Sequence, residues 1–259
     1  MDQDDDSLLA LAAELARQAG AIILAVRAAG FETMRKDDHS PVTEADHKAE
    51  LLIAAALRAA TPDIPVVAEE EAAAGMEHDD SHNYWLVDPL DGTREFAAGR
   101  DEFTVNIGLI RHGAPVLGVV GVPALGELFG GIVGKGAWKE TVAGRHPIHA
   151  RAVPDEGLTV LASRHYANDS RLDAFLAGRR IATITNYGSA LKIARVAEGA
   201  ADLYPRFGRT MEWDTAAPQA VLEAAGGKLT DLQGATLTYA KAKWENPHFI
   251  VSGYSLGGH

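Results

Sequence analysis

"VDPLDGTREF", residues 87–96, places two aspartates three positions apart, after the apolar run "YWL" and just before Gly92-Thr93. Carboxylates held that close repel each other. Either the stretch is a solvated turn in which the charges diverge, or a strong positive charge sits between them. The second reading has a mechanical logic. A turn at Pro89-Leu90 folds Asp88 and Asp91 toward one point, while Gly92 and Thr93 open a short helix whose backbone N–H groups can hold a phosphate. The positive charge is then a divalent cation.

Other carboxylates occupy corresponding places. Glu69 and Glu70 end the apolar stretch "IPVVAEE", Asp46 falls at one helix start and Asp214 at another. Hard oxygen ligands in this number suit magnesium, which keeps part of its water shell and shares its sites with substrate phosphate. Taken singly, each has a plainer reading. Asp46 and Asp214 would be helix-start residues favoured by the macrodipole, and Glu69–Glu71 a solvated charge run.

The surrounding pattern is mixed. Leu8, Leu11, Leu15, Ile22 and Val26 recur at helical spacing, with Ser7 as the expected N-cap and Gly30 as the stop. "KDDHSPVTEAD" reads as a turn-rich loop, followed by an Ala/Leu-rich helix over 44–60. "IPVVAEE" and "YWLVDPLD" read as buried strands, and residues 103–138 as three strands joined by Gly and Pro turns. "GGIVGKG" lacks the spacing and the Ser/Thr of a phosphate loop and reads as a hairpin. From about residue 151 strands and helices alternate, ending in "HFIVSG". The expectation is an α+β part over 1–150 and an α/β part over 151–259, with the site between them.

Composition narrows the function. The 259 residues, 47% hydrophobic and 23% charged, suffice for a substantial core. A formal charge of −12 disfavours nucleic acid and anionic membranes as partners. The absence of cysteine removes thiolate nucleophiles, disulfides and Cys-ligated zinc, and fits a cytoplasmic setting. The acidic "MDQDDD" is unlike a signal peptide, and no segment reads as an integral membrane span.

The motifs "SPVTEAD", "VAEE", "DPLDGT", "WDTAAPQAVLEAAGG" and "ENPHFIVS" together resemble the magnesium-dependent, lithium-sensitive phosphatases of the inositol monophosphatase and fructose-1,6-bisphosphatase superfamily. "DPLDGTREF", "EFTVNIGLI" and "GSALKIARVAEGAADLYPRFGRTMEWDTAA" are most similar to its 3′(2′),5′-bisphosphate nucleotidases of the CysQ type. The resemblance covers nearly the whole chain. It implies a layered α-β-α-β-α sandwich and hydrolysis of the 3′-phosphate of adenosine 3′,5′-bisphosphate to AMP. It also implies metal ligands Glu69, Asp88, the carbonyl of Leu90, Asp91 and Asp214, with Asp46 near a further, weaker ion, so two or three Mg²⁺ in all.

Three consecutive glutamates leave Glu69, Glu70 and Glu71 as alternatives, with the spacing from Asp46 favouring Glu69. Arg94 stands where lysine is common in the family. Thr93 with Glu70 or Asp46 is the expected pair for orienting or deprotonating water. Gly92, Thr93 and Arg94 are expected around the reacting phosphate. Gly188, Ser189 and Lys192 of "GSALK", Arg206 of "YPRFG" and His165 of "SRHY" are expected on the nucleotide and its second phosphate. A homodimer and a peripheral inner-membrane contact are options that only the resemblance raises. The rival functions are an inositol, sugar or histidinol phosphate phosphatase, and a non-catalytic metal- or nucleotide-binding module.

Overall fold

The structure is a computed structural model and describes residues 4–35, 41–73, 82–164 and 170–254. Helix α1 (Asp5–Ala29) starts at Asp4, whose carboxylate accepts the Ser7 N–H at 2.8 Å. The cap therefore lies three residues before the expected Ser7, which instead supplies the capped donor. Asp5 and Asp6 in the first turn and Arg27 in the last complement the macrodipole. Gly30, at φ +82°, ends the helix.

Against the expectation of no spanning segment, α1 is long and apolar enough to cross a bilayer. Here its apolar stripe, including Leu8, Leu15 and Ile23, is buried against the protein core.

Strands β1 (Thr33–Arg35) and β2 (Pro41–Thr43) form a small antiparallel ribbon, and α2 (Glu44–Ala60) follows with the expected limits. Then come β3 (Val66–Ala68), a five-residue helix α3 (Glu69–Ala73), β4 (Asn83–Asp91) and a second five-residue helix α4 (Thr93–Ala97). The chain continues through β5 (Thr104–Arg111), β6 (Ala114–Val122), β7 (Glu127–Ile132), β8 (Gly136–Thr141) and β9 (Gly144–Ile148).

Strands β3 to β9 lie in sequence order in one seven-stranded sheet, antiparallel except for the β3–β4 pair. The "GGIVGKG" stretch is the β7–β8 hairpin. Residues 103–138 thus hold three full strands and the start of a fourth, β8. Most β8 and β9 side chains are exposed or half-buried, so these strands carry little of the apolar alternation by which strands are recognised.

The second sheet comes from the rest of the chain. Its strands are β10 (Leu158–Ser163), β11 (Ile181–Tyr187), β12 (Leu203–Arg206), β13 (Lys228–Asp231) and β14 (Phe249–Ser252), in the order β11-β10-β12-β14-β13. Strand β10 is parallel to β11 and β12, and β14 is antiparallel to β12 and β13. The helices are α5 (Ser170–Leu176), α6 (Leu191–Ala197) and α7 (Glu212–Ala224).

Helices α1 and α2 cover one face of the first sheet, while α6 and α7 fill the space between the sheets. Leu172 and Leu176 of α5 pack with Val160, Leu203 and Ile250 on the second sheet. The layers run α-β-α-β-α, as expected. Two glycines allow α7 its close seat. A Cβ at Gly118 would lie 2.3 Å from the Ala217 carbonyl oxygen, and one at Gly108 would lie 2.8 Å from the Ala217 nitrogen.

Candidate metal and phosphate site

Residues three apart on a regular strand point to opposite faces. Strand β4 avoids this. Asp88 pairs with Asn106 and Asp91 with Thr104, so three steps on β4 match two on β5 and one residue is extra. Pro89, with no N–H to give the ladder, sits in that bulge. The Leu90 N–H bonds to Asp88 Oδ1 at 3.0 Å. The bulge brings both carboxylates to one side, and Asp214 joins them: one oxygen of each of the three lies within 4.8 Å of the others.

Glu69, the first residue of α3, completes the group as a hydrogen-bond partner of Asp88. Asp214 is the third residue of α7 and accepts the Met211 N–H at 2.8 Å. Asp46 does the same at α2, taking the Thr43 N–H at 2.8 Å on Oδ2 and the Thr93 hydroxyl at 3.1 Å on Oδ1. The helix-start reading of these aspartates is thus seen in the structure, and capping with one oxygen leaves the other to Thr93 at Asp46 and to the acidic cluster at Asp214.

The electrostatics fit a cation. Burial pushes the Asp88 carboxyl well above the usual range, helped by Glu69, Asp91 and Asp214. Burial also raises Asp91, against the pull of Lys192 and the Ala190 N–H. Asp214 is pushed up to about 8 by burial, then by Asp91 and Glu69. Beneath the cluster, on the strand facing Asp88 and Asp91, the Thr104 hydroxyl and both polar atoms of the Asn106 side chain are buried without a hydrogen-bond partner among the described residues. Converging carboxylates with unpartnered polar groups below them suit a hard, partly hydrated ion such as Mg²⁺.

At the cluster opens a cleft of about 390 Å³, lined by Asp91 and Asp214 together with Thr93, Arg94, Ser189, Lys192, Arg206 and Arg209. Gly92 adopts φ +90°, and a Cβ there would meet the Glu102 carbonyl oxygen and the Ser189 side chain at 3.1 Å. Gly188 lies against Glu95, where a Cβ would come within 2.4 Å of Cγ. Ser189, at φ +50°, turns the chain so that the Ala190 N–H reaches Asp91 Oδ2. Arg206 donates from Nη2 to the Arg209 carbonyl at 3.0 Å.

Lys192 is buried rather than a surface cation. Its Nζ donates to the carbonyls of Ser189 (2.6 Å) and Tyr187 (3.2 Å), and burial pushes its pKa down to about 7. His165 lies outside the described residues.

Several supporting residues escape the sequence reading. Glu102 accepts the Gly188 N–H at 3.3 Å and pairs with Arg164, anchoring the 186–190 turn to the first half of the chain. Glu212, fully buried, accepts the N–H groups of Ala240 and Lys241 and so fixes a loop at the start of α7. Glu50, buried on α2, accepts the N–H groups of Glu70 (2.8 Å) and Glu71 (3.2 Å). A carboxylate among alanines on a helix gives no signal of such a partner, since an exposed residue reads the same.

The inositol monophosphatase family model matches residues 4–252. The chain belongs to the inositol monophosphatase family. Within it the chain is 46% identical to the 3′(2′),5′-bisphosphate nucleotidase CysQ of Salmonella typhimurium, over 93% of this chain and 98% of that protein. The crystal structure of CysQ from Bacteroides thetaiotaomicron superimposes with a TM-score of 0.80 at 34% identity, covering 96% and 98% of the two chains. An inositol monophosphatase from Zymomonas mobilis gives a TM-score of 0.79 at 26% identity, covering 97% and 94%. The family's fold is the layered sandwich described above, and the acidic cluster lies where its β4 bulge and its α7 start meet.

Proposed function

We propose that this chain is a Mg²⁺-dependent phosphomonoesterase that removes the 3′-phosphate of adenosine 3′,5′-bisphosphate, giving AMP and phosphate. The observation that carries the reading is the convergence of Asp88, Asp91 and Asp214 beside a cleft that Asp91, Asp214 and Arg206 all line, with the Arg206 charge felt by both carboxyls. The identity of 46% to a CysQ nucleotidase over nearly the full length of both chains supports that activity over others in the family.

In this reading Glu69, Asp88, the Leu90 carbonyl, Asp91 and Asp214 would hold two ions, and Asp46 would lie near a further, weaker one. Bound magnesium lowers the pKa of water and neutralises phosphoryl and leaving-group oxygens. The protein's own groups do the positioning. Thr93 has one hydroxyl proton and two acceptors in reach, Asp46 Oδ1 at 3.1 Å and the Leu90 carbonyl at 3.0 Å. Donation to Asp46 leaves the carbonyl available as a ligand and turns a Thr93 lone pair toward the attacking water. Asp46, or Glu70 beside it, can then take the proton.

The first N–H groups of α4, at Thr93 and Arg94, lack intrahelical acceptors and face the reacting phosphate. Ser189 and Arg206 meet the nucleotide and the phosphate that stays. The division near residue 150 belongs to the proposal: the first part supplies most ligands, and the second supplies Asp214 and the substrate contacts. The lack of cysteine supports a cytoplasmic setting.

The test is phosphate release from adenosine 3′,5′-bisphosphate with magnesium, with a chelator and with added lithium, using wild type and Asp88→Asn. Turnover should require magnesium, fall in lithium and nearly vanish in the variant, which remains folded. Near-native turnover by Asp88→Asn at ordinary magnesium would overturn the ligand assignment.

A further inference from the structure

We infer that Glu50 is a positioning residue that sets the metal-binding geometry of Glu69 through the backbone of α3. The inference rests on the magnesium reading proposed above. Glu69 and Glu70 stand on a helix of only five residues, too short to be stable by itself and preceded by a three-residue strand. Something outside it must fix it. A helix start leaves several N–H groups without intrahelical partners, and Glu50 supplies the acceptors from a different helix. Its Oε2 takes the Glu70 N–H at 2.8 Å and its Oε1 the Glu71 N–H at 3.2 Å, so both oxygens are used and the peptide planes next to Glu69 are held in orientation.

The placement on α2 gives this contact its meaning. Asp46 and Glu50 are one turn apart on the same buried face of a 17-residue helix. Asp46 reaches α4 through Thr93, and Glu50 reaches α3. One rigid helix thus spaces the segment that carries Glu69 from the segment that carries Thr93. A third tie between α2 and α3, from Arg58 to the Glu71 side chain, is half exposed and does not touch the backbone beside Glu69. Groups that orient a ligand from behind typically change metal affinity by about tenfold to a hundredfold when removed.

The test is titration of the full-length protein with Mn²⁺ alone, read by calorimetry or by the loss of free-ion paramagnetic signal, on chains whose folding is checked by thermal melting. Glu50→Ala should weaken Mn²⁺ binding by about tenfold or more, while Arg58→Ala stays within roughly twofold of wild type. Glu50→Gln, isosteric and able to accept only one of the two N–H groups, should fall between them, and it decides the matter if the alanine variant fails to fold. At saturating magnesium the KM for the nucleotide should not move. Folded Glu50 variants that bind Mn²⁺ as wild type does would overturn the inference, as would equal losses in Arg58→Ala, which would make general docking of α3 the cause. Absence of Mn²⁺ binding by the wild type would instead overturn the metal reading, and this role with it.

Discussion

Asp214 caps α7 with one carboxylate oxygen and belongs to the acidic cluster as well, which gives it a measurable pH signature. In the metal-free fold its pKa rises from 3.8 to about 8. Across that window the folded chain holds a proton that the unfolded chain has released. The stability that Asp214 contributes therefore falls as pH rises from 3.8 to about 8 and levels off above it. A bound cation takes the proton's place and stabilises by mass action. The gain in Tm on adding magnesium should be larger at about pH 8 than at about pH 6. An equal or larger gain at the lower pH would remove Asp214 from the ligand set.

At this scale the "DPLDGT" turn already brings Asp88 and Asp91 together, whereas Asp214 by itself reads as a helix-start residue and its place in the ligand set is what the resemblance implies. Glu50 and Glu102 stay hidden, since their partners are backbone N–H groups of segments 20 and 86 residues away. Lys192 reads from the sequence as a cation for the second phosphate or an ordinary surface one, and only its burial and two carbonyl partners show what it braces.

Between elements, the closest approach in the molecule that matters for the site is α7 on β5 and β6. No side chain fits at Gly118, where even a Cβ would penetrate the Ala217 backbone. Gly118→Ala must push α7 outward, and overpacking of this kind costs about 1 to 3 kcal/mol, sometimes more. Because Asp214 rides on the first turn of α7, the same variant should lower magnesium affinity. The paired measurements are a denaturant melt and a magnesium activation curve. A stable Gly118→Ala protein with normal activation would show that α7 tolerates displacement without moving the cluster.

The strand order of the first sheet follows the chain and its apolar strands are readable one by one, whereas most side chains of β8 and β9 are half-buried or exposed and β13 buries only Leu229 fully. The register shift at Asp88–Asp91 is invisible to periodicity, yet it alone places both carboxylates on one side.

Across the whole molecule, the cleft joins Glu69, Asp91 and Arg94 from the first half of the chain to Asp214, Lys192 and Arg206 from the second, so a cation that meets only the uncleaved phosphate should affect substrate selection apart from chemistry. Arg206 lines the cleft from β12 and, in the proposed function, meets the phosphate that is not cleaved. A charge-assisted contact is worth about 1.5 to 3 kcal/mol, so Arg206→Ala should lose roughly tenfold to a hundredfold in kcat/KM for adenosine 3′,5′-bisphosphate. It should change little for adenosine 3′-monophosphate. Lys192→Ala should differ. Lys192 braces the carbonyls of the turn whose Ala190 N–H holds Asp91, so its loss should slow both substrates together. Equal losses on both substrates for Arg206→Ala would place Arg206 at the reacting phosphate or in the fold.

The most direct test of the account as a whole is the ratio of kcat/KM for adenosine 3′,5′-bisphosphate to that for inositol 1-phosphate, measured on the wild-type chain in magnesium. In the proposed function the two substrates would meet the same carboxylates and differ in what Arg206 must recognise. The expected ratio favours the nucleotide by about a hundredfold or more, because a second phosphate and a nucleoside add their contacts. A ratio near unity, or a preference for inositol 1-phosphate, would contradict it.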